Sequence, residues 1–240
     1  MTSFNDCLGA EQQWLVFADD HILAVNKPSG LRVIPDGYQP DLPYMAKMLA
    51  TQFGRLWVVH RLDKETSGIL LFARNPRVHR SLNNQFETRQ ITKTYHALVA
   101  GNPPWKEQVI SLPLRVNGDR RRRTIVDHQR GKPAVSAVNV LGLYDQAALL
   151  SVQPHTGYTH QIRAHLAAAG YPILFDQLYR RPINPADPKL AVATRLALHA
   201  LQITFIHPHS QSRTQLTAPY PQDFSDMLQA ISRNPLQPSE

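Results

Sequence analysis

Short apolar runs bounded by turn residues recur along the chain and predict a sheet-forming protein. They are rich in Val, Ile and Leu, as buried strands are. The runs are WLVFADDHILAVNKPSG, RLWVVH, GILLFAR, KTYHALVAG, AVSAVNVLGLY, AALLSVQP and LALHALQITFIHP. We expect strands in all of them, with the polar stretch HRLDKETS forming a loop between two strands that are covered on both faces.

The segment after residue 74 has the spacing of a helix. Asn75 is typical of an N-cap, and Pro76 is typical of a first helical residue. Val78, Leu82 and Phe86 then recur at four-residue intervals on one face. We therefore predict a helix that runs to about residue 88.

Two more helices are predicted nearer the C-terminus. Thr159 would cap one over HQIRAHLAAA, with Gly170 as its end, and the other starts at about Asp223. Strands and helices thus mix without a regular βαβ rhythm. This favours an α+β fold with a mixed, largely antiparallel central sheet flanked by helices.

The charge of the chain indicates what kind of partner it binds. The 240 residues include 26 Lys and Arg and 18 Asp and Glu, so the formal net charge is +8. Such a charge favours a polyanionic binding partner such as nucleic acid. Seven basic residues lie between Arg115 and Lys132, against two acidic ones. We expect this segment, with its tract Arg120, Arg121, Arg122 and Arg123, to be a phosphate-binding hairpin rather than a merely solvated loop.

The cysteine content and the N-terminal segment indicate the cellular compartment. The single cysteine, Cys7, cannot form an internal disulfide or supply a thiolate-rich metal site, which fits a reducing compartment. The N-terminal segment lacks a basic stretch followed by an apolar run, and no stretch is long and apolar enough to span a membrane. We expect a cytoplasmic protein.

Known cofactor patterns are missing from the sequence. His155, His160 and His165 are spaced by five, which drifts off one helical face, and no H-E-x-x-H occurs. His207 and His209, in HPHS, are typical of turn or surface residues rather than of metal ligands. Without a G-x-S-x-G elbow, a P-loop or a G-x-G-x-x-G, we expect neither a metal nor an organic cofactor.

Three residues could carry chemistry. Asp63, framed by Arg61 and Lys64, is either a salt-bridged aspartate that orders a loop or an ionised nucleophile or general base. Tyr95 is either a half-buried strand aromatic or a side chain that stacks on a base and offers its hydroxyl. Arg163 is either a surface helix residue or the partner of a buried carboxylate.

Four ordered motifs resemble those of the RluA-type pseudouridine synthases. They are NKPSG at 26–30, HRLDKETSG at 60–68, K-x-Y-x-A at 93–97 and H-T-G-x-T-H-Q-I-R-x-H at 155–165, followed by a similar closing segment, APYPQDF. The resemblance spans about residue 14 to about residue 224. It implies the pseudouridine synthase fold, with two lobes and the active-site cleft between them.

The resemblance also implies a domain organisation. We expect a single catalytic domain over residues 14–226, carrying a basic insertion loop at about 115–132. The expected tails are 1–13 and 227–240. The S4 RNA-binding domain of some family members is not expected, because 25 residues precede NKPSG.

The activity that the resemblance implies is isomerisation of uridine to pseudouridine in transfer or ribosomal RNA. Asp63 would act near C1′ of the ribose, as nucleophile or as base, so that the glycosidic bond breaks. Tyr95 would stack on the detached uracil and remove its C5 proton. Arg163 would pair with Asp63 and hold it ionised, Ile162 would form an apolar wall, and Arg61 would fill the place of the flipped uridine.

Further substrate contacts are expected at other motif positions and at the arginines of the basic segment. They are assigned to His60, Thr66, Lys93, Arg120, Arg121, Arg122 and Arg123. In one departure, Tyr158 stands where the family usually has arginine. If that arginine binds the RNA backbone, the interaction is absent here or taken over by a neighbour such as His155 or Arg180.

Two other functions compete with the isomerase. One is an inactive RNA-binding protein or RNA chaperone on the same scaffold, for which Asp63 would be dispensable. The other is a metal-assisted RNA hydrolase that uses the histidines, and EDTA would abolish its activity. We expect an isomerase that is active with EDTA present and that is a monomer without an obligate protein partner.

Overall fold

The structure, a computed structural model, describes residues 12–179 and 195–232. The chain forms two compact units and contributes two segments to each. The first unit comprises Met1–Ile91 and Leu201–Pro219, and the second comprises Thr92–Ala200 and Tyr220–Glu240. Cys7 and Arg180 lie outside the described residues. No helix in the described ranges is long and apolar enough to cross a lipid bilayer.

The described residues form twelve strands and four α-helices after a 3-10 turn at Gln12–Trp14. The strands are β1 (Leu15–Ala18), β2 (Ile22–Lys27), β3 (Trp57–Val58), β4 (Ser67–Ala73), β5 (Thr92–Ala100), β6 (Glu107–Ser111), β7 (Leu114–Arg115), β8 (Ile125–Val126), β9 (Val135–Leu143), β10 (Ala147–Pro154), β11 (Leu198–Ile206) and β12 (Arg213–Thr217). The helices are α1 (Met45–Phe53), α2 (Pro76–Glu87), α3 (Gln161–Ala168) and α4 (Gln222–Ser232).

The first unit centres on β4. The strand order is β1-β2-β4-β11, with β12 paired to β11 and β3 paired to β4. The pairs β1–β2, β2–β4, β3–β4 and β11–β12 are antiparallel. All seven residues of β4 are buried, as predicted. The expectation of an equally buried strand before the loop is wrong, because β3 pairs with β4 at Trp57 and Val58 alone and both residues are half-buried.

Helix α2 follows β4 and confirms its predicted cap. The Asn75 side chain accepts a hydrogen bond of 2.9 Å from the Val78 N–H, and Pro76 is the first helical residue. A side-chain cap of this kind satisfies an N–H that has no partner within the helix. Val78 and Leu82 are buried, so the predicted apolar face packs into the core.

The second unit is an antiparallel sheet with a separate small hairpin. Its strand order is β5-β10-β9-β6. The pairs β5–β10, β9–β10 and β6–β9 are antiparallel, and Tyr95 of β5 lies opposite Val152 of β10. Strands β7 and β8 form a two-stranded ladder of their own. The basic segment is therefore a hairpin, as predicted.

Helix α3 differs from the prediction at its start. His160, with φ of 55°, is the residue before the helix, so Thr159 as the cap is wrong. The Thr159 carbonyl instead accepts a hydrogen bond of 2.7 Å from the Thr124 hydroxyl, which engages this residue outside the helix. The predicted end is confirmed, since Gly170 follows the last turn with φ of 93°, a conformation that favours glycine.

The predicted α+β fold with a largely antiparallel sheet is confirmed. Helix α4 runs past residue 226, where the expected catalytic domain ends, because Met227 is buried in its next turn. The single domain over 14–226 and a cleft between two lobes stay predictions.

Candidate active site

Asp63 lies in the loop between β3 and β4, in the first unit. Leu62 is 8% exposed and anchors the loop in the core, whereas Arg61 is exposed and Asp63 is half-buried. The Asp63 carbonyl accepts a hydrogen bond of 3.2 Å from the Thr66 N–H, which closes a turn. The loop thus presents a carboxylate and an exposed guanidinium next to a rigid strand.

The NKPSG turn holds this loop by its backbone. Lys27 is fully buried, and its ammonium donates to the carbonyl oxygens of Pro28 at 2.8 Å, Leu31 at 2.8 Å and Lys64 at 3.0 Å. A buried ammonium is costly unless its donors are satisfied, and these three bonds satisfy them. Lys64 directly follows Asp63, so Lys27 fixes the backbone beside the candidate carboxylate.

Two more bonds join the same turn to the loop. The Gly30 N–H donates to the Lys64 carbonyl at 2.8 Å, and the Ser29 hydroxyl donates to the Glu65 carbonyl at 2.6 Å. Gly30 has φ of 87°, which explains the glycine of this motif. Sequence reasoning recognised NKPSG as a family motif but missed this positioning role.

His60 and Thr66 flank Asp63 in the same loop. The Nε2 atom of His60 accepts a hydrogen bond of 3.0 Å from the Leu71 N–H, and its ring lies 5.0 Å from that of Phe86. Thr66 is 2% exposed, and its hydroxyl has no hydrogen-bond partner within the described ranges. His60 thus has an internal contact that orders the loop, and the assignment of both side chains to substrate stays a prediction.

Tyr95 and Lys93 lie on β5, in the second unit. Tyr95 is 9% exposed, in a strand that pairs with β10 from Tyr95 to Ala100. Burial lowers the pKa of Lys93. Its ammonium lies beside the loop that precedes α3, since a Cβ atom added at Gly157 would be 3.6 Å from Nζ. The aromatic ring and the amine therefore stand on a rigid strand, as catalytic groups require.

Arg163 is buried and forms a two-bond ion pair. Its Nε atom donates to Oδ2 of Asp176 at 2.7 Å and its Nη2 atom donates to Oδ1 at 2.8 Å. The side chains are 4% and 0% exposed, so the interpretation of Arg163 as a surface residue is wrong. Sequence reasoning missed Asp176, although an aspartate directly after the apolar run YPILF was a signal. The pairing of Arg163 with Asp63 stays a prediction.

A network of buried polar side chains fixes α3 to β9. His165 Nε2 faces the Leu112 carbonyl at 3.1 Å and must donate there, so Nδ1 accepts from the Ser136 hydroxyl at 3.0 Å. Ser136 in turn accepts from Gln161 Nε2 at 3.1 Å, and Gln161 Oε1 accepts from the Thr156 hydroxyl at 2.8 Å. A satisfied chain of this kind makes the helix that carries Ile162 and Arg163 rigid.

The basic hairpin, residues 114–132, is organised by its two aspartates. Asp119 accepts from the Arg121 and Arg123 N–H groups at 3.0 and 2.9 Å and pairs with the Arg123 side chain at 2.7 Å. Asp127 accepts in the same way from two N–H groups and pairs with Arg115 at 2.9 Å. The acidic residues therefore shape the loop that the arginines occupy.

The four adjacent arginines divide into two classes. Arg123 is half-buried, and its Nη1 atom donates to the Leu178 carbonyl at 3.0 Å, so its guanidinium is committed inside the protein. Arg120, Arg121 and Arg122 are exposed. Binding of phosphate groups by these three residues stays a prediction, and Arg123 has a structural role beside the predicted one.

The three histidines His155, His160 and His165 lie in separate environments. His155 is exposed, His160 precedes α3, and His165 belongs to the polar network. Within residues 12–179 and 195–232, no three His, Cys, Asp or Glu side chains are grouped so that they could hold a metal ion. The first unit thus supplies a carboxylate on a backbone that is held in place. The second unit supplies an aromatic ring, a buried guanidinium and a cationic surface.

A family model described as RNA pseudouridylate synthase matches residues 21–168. The dual-specificity RNA pseudouridine synthase RluA of Vibrio vulnificus is 36% identical over 89% of this chain and 86% of that protein. The enzyme of the same name from Escherichia coli K12 is 35% identical over 87% of this chain and 94% of that protein.

Two solved structures resemble the fold. Human RNA pseudouridylate synthase domain containing 4 superposes with a TM-score of 0.75 at 26% identity, covering 93% of this chain and 94% of that one. Human RNA pseudouridylate synthase domain containing 1 gives a TM-score of 0.71 at 27% identity, covering 92% and 95%.

Proposed function

Because the chain belongs to the RNA pseudouridylate synthase family and is an RNA pseudouridine synthase of the RluA type, we propose that Asp63 is its essential carboxylate. One observation carries this assignment. The backbone beside Asp63 is held by the buried ammonium of Lys27, the Gly30 N–H and the Ser29 hydroxyl, which leaves the carboxylate half-buried on a fixed support. Such support is what a reacting group needs.

The reaction divides among three side chains. Asp63 acts on the ribose so that the bond between C1′ and N1 of uracil breaks, and the detached base turns to present C5. A new bond forms between C5 and C1′, and the Tyr95 oxygen accepts the C5 proton as its own hydroxyl proton leaves. N1 gains one proton in exchange, so that one proton is moved in all from C5 to N1. Arg163, buried with Asp176, supplies positive charge while negative charge develops on the base. The reaction is an isomerisation and requires no co-reactant.

RNA binding rests on charge and on the flipped base. Extruding a base costs a few kcal/mol, and an aromatic such as Tyr95 offsets roughly 1 to 3 kcal/mol by stacking. Exposed Arg61 is suited to fill the position that the base leaves. The exposed arginines of the basic hairpin and the net charge of +8 supply phosphate contacts.

We further propose that the enzyme acts on both transfer and ribosomal RNA, as a monomer in the cytoplasm. The relatives named above are described as dual-specificity enzymes, which supports more than one RNA substrate. Sedimentation of the purified protein tests the monomer, and fractionation of cells that produce it tests the location.

The decisive experiment is tritium release from RNA that carries [5-³H]uridine. Wild type, Asp63→Asn and the control Asp20→Asn are each incubated with transfer RNA and with ribosomal RNA in EDTA. Asp20 is exposed and lies outside the Asp63 loop. Release from both RNAs by wild type and Asp20→Asn, but not by Asp63→Asn, is the expected result. Tight RNA binding without release by wild type would instead favour an RNA-binding protein or chaperone.

A further inference from the structure

Tyr179 lies where the basic hairpin meets the turn that begins at Asp176, in the second unit. Its hydroxyl donates to the Thr124 carbonyl at 3.0 Å and accepts from the Thr124 N–H at 2.8 Å. One side chain thus satisfies both backbone groups of a hairpin residue. Thr124 is 1% exposed, so the contact is buried and sensitive to removal of either partner.

The backbone of the same tyrosine is bonded to Asp176. The N–H groups of Leu178 and Tyr179 donate to Oδ1 of Asp176 at 2.9 and 3.1 Å. Oδ1 also accepts from Nη2 of Arg163. One carboxylate oxygen therefore joins Arg163 to the turn that carries Tyr179.

The ring of Tyr179 contacts two guanidinium groups. The Cζ atom of Arg163 lies 5.3 Å from the ring centroid, and that of Arg123 lies 5.9 Å from it. Both distances are within the range of a cation–π interaction. Burial raises the pKa of Tyr179 to about 12, so its hydroxyl keeps the proton that it donates to Thr124.

The backbone next to these contacts is strained. Phe175, which directly precedes Asp176, has φ of 61°, and His160, which precedes α3, has φ of 55°. Residues other than glycine hold left-handed conformations of this kind when surrounding contacts impose them. The hydrogen bonds of Asp176 and Tyr179 are contacts that impose the left-handed conformation on Phe175.

We propose that Tyr179 is a positioning residue for the isomerisation, which holds Arg163 in its reactive orientation through Asp176 and fastens this pair to the basic hairpin. The inference rests on the proposed function, in which Arg163 supplies charge to the reaction. Tyr179 thereby joins two sets of side chains in one rigid element. One set is the arginines that bind phosphate, and the other is the arginine that acts on the base. A base is then presented to Arg163 in the register that the phosphate contacts set.

The test variant is Tyr179→Phe, which keeps the ring and both guanidinium contacts. It removes the hydroxyl's bonds to Thr124 and its contact of 3.4 Å with Nδ1 of His160. We expect the single-turnover rate of pseudouridine formation at saturating RNA to fall by about 10- to 100-fold, since misplaced groups lose rate steeply. The KM for RNA should change little. Tyr171→Phe, which removes the hydroxyl of a half-buried tyrosine packed on Trp105, is the control and should retain the wild-type rate.

A double-mutant cycle tests the route through Asp176. If Tyr179 acts through that carboxylate, adding Tyr179→Phe to Asp176→Asn lowers the rate no further, whereas independent roles give multiplied losses. Multiplied losses, or a wild-type rate in Tyr179→Phe, would overturn the proposal. Faster hydrogen exchange of the Thr124 amide in Tyr179→Phe is expected whether or not wild type is active. Wild type without activity would instead refute the proposed function.

Discussion

The ammonium of Lys27 and the carbonyl oxygen of Lys64 are 3.0 Å apart, although the two residues are separated by 37 positions in the chain. This bond ties the buried end of β2 to the residue after Asp63. A positive charge that is taken out of water thus serves to shape the loop that carries the candidate carboxylate.

Lys27→Met should destabilise the first unit and impair catalysis. The change removes three hydrogen bonds and leaves buried carbonyls without these donors, which costs about 2 to 5 kcal/mol in free energy of unfolding. Urea denaturation measures the loss. Lys47→Met, at an exposed position of α1, is the control. Equal stability of both variants would show that the Lys27 bonds do not hold the loop.

Asp176→Asn should be more damaging than Asp223→Asn. Both carboxylates form two bonds with an arginine, Arg163 and Arg195 respectively. Asp176 is fully buried, whereas the Asp223 side chain is 44% exposed. Breaking the buried pair is expected to lower the free energy of unfolding by about 3 to 5 kcal/mol. Removing the charge of the exposed carboxylate should lower it by at most about 1 kcal/mol. Thermal unfolding of both variants checks the order, which similar losses would contradict.

The salt dependence of RNA binding should separate the two classes of arginine in the basic hairpin. Replacing exposed Arg120 and Arg121 by Gln should flatten the slope of log affinity against log salt by about 0.7 to 0.9 for each phosphate group that is no longer bound. Arg123→Gln should lower the stability of the hairpin, because this side chain is bonded to Asp119 and Leu178. Filter binding at several salt concentrations measures the slopes. An unchanged slope in the double variant would remove these residues from the RNA interface.

Acid should destabilise the protein through His165. Burial lowers the pKa of this imidazole below its ordinary value of 6.5. The unfolded chain therefore binds a proton at a pH where the folded state does not, and stability falls as pH drops below that value. His165→Gln should lose less stability than wild type between about pH 7 and about pH 5, as measured by denaturant titration. His128→Gln, at an exposed site, should keep the wild-type dependence.

Arg89→Gly should stabilise the C-terminal end of α2. Arg89 is exposed and has φ of 58°, where a Cβ atom costs about 1 to 2 kcal/mol. Glycine removes this strain but loosens the unfolded chain, so a net gain of about 1 kcal/mol is expected. Arg89→Ala, which deletes the same side chain but keeps the Cβ atom, is the control. A rise in melting temperature for both variants would point to the charge rather than to the backbone.

Local patterns predicted the elements that depend on local chemistry. Asn75 and Pro76 marked the start of α2, and the apolar run after Ser67 marked β4, because caps and buried strands depend on residues that are close in sequence. The same reasoning failed at Thr159. Its carbonyl is engaged by the hydroxyl of Thr124, 35 positions earlier, and no local rule contains that contact.

The candidate residues show the same division. The motifs were sufficient to select Asp63, Tyr95 and Arg163 as candidates, because the four motifs occur together and in order along the chain. Long-range packing determined the contacts that hold Asp63 and Arg163. The backbone beside Asp63 is held by Lys27 and the carbonyl oxygens around it, and Arg163 is held by the carboxylate of Asp176. Buried polar groups take whichever partner the fold brings within hydrogen-bond distance, and that choice depends on the register of distant segments rather than on neighbouring residues.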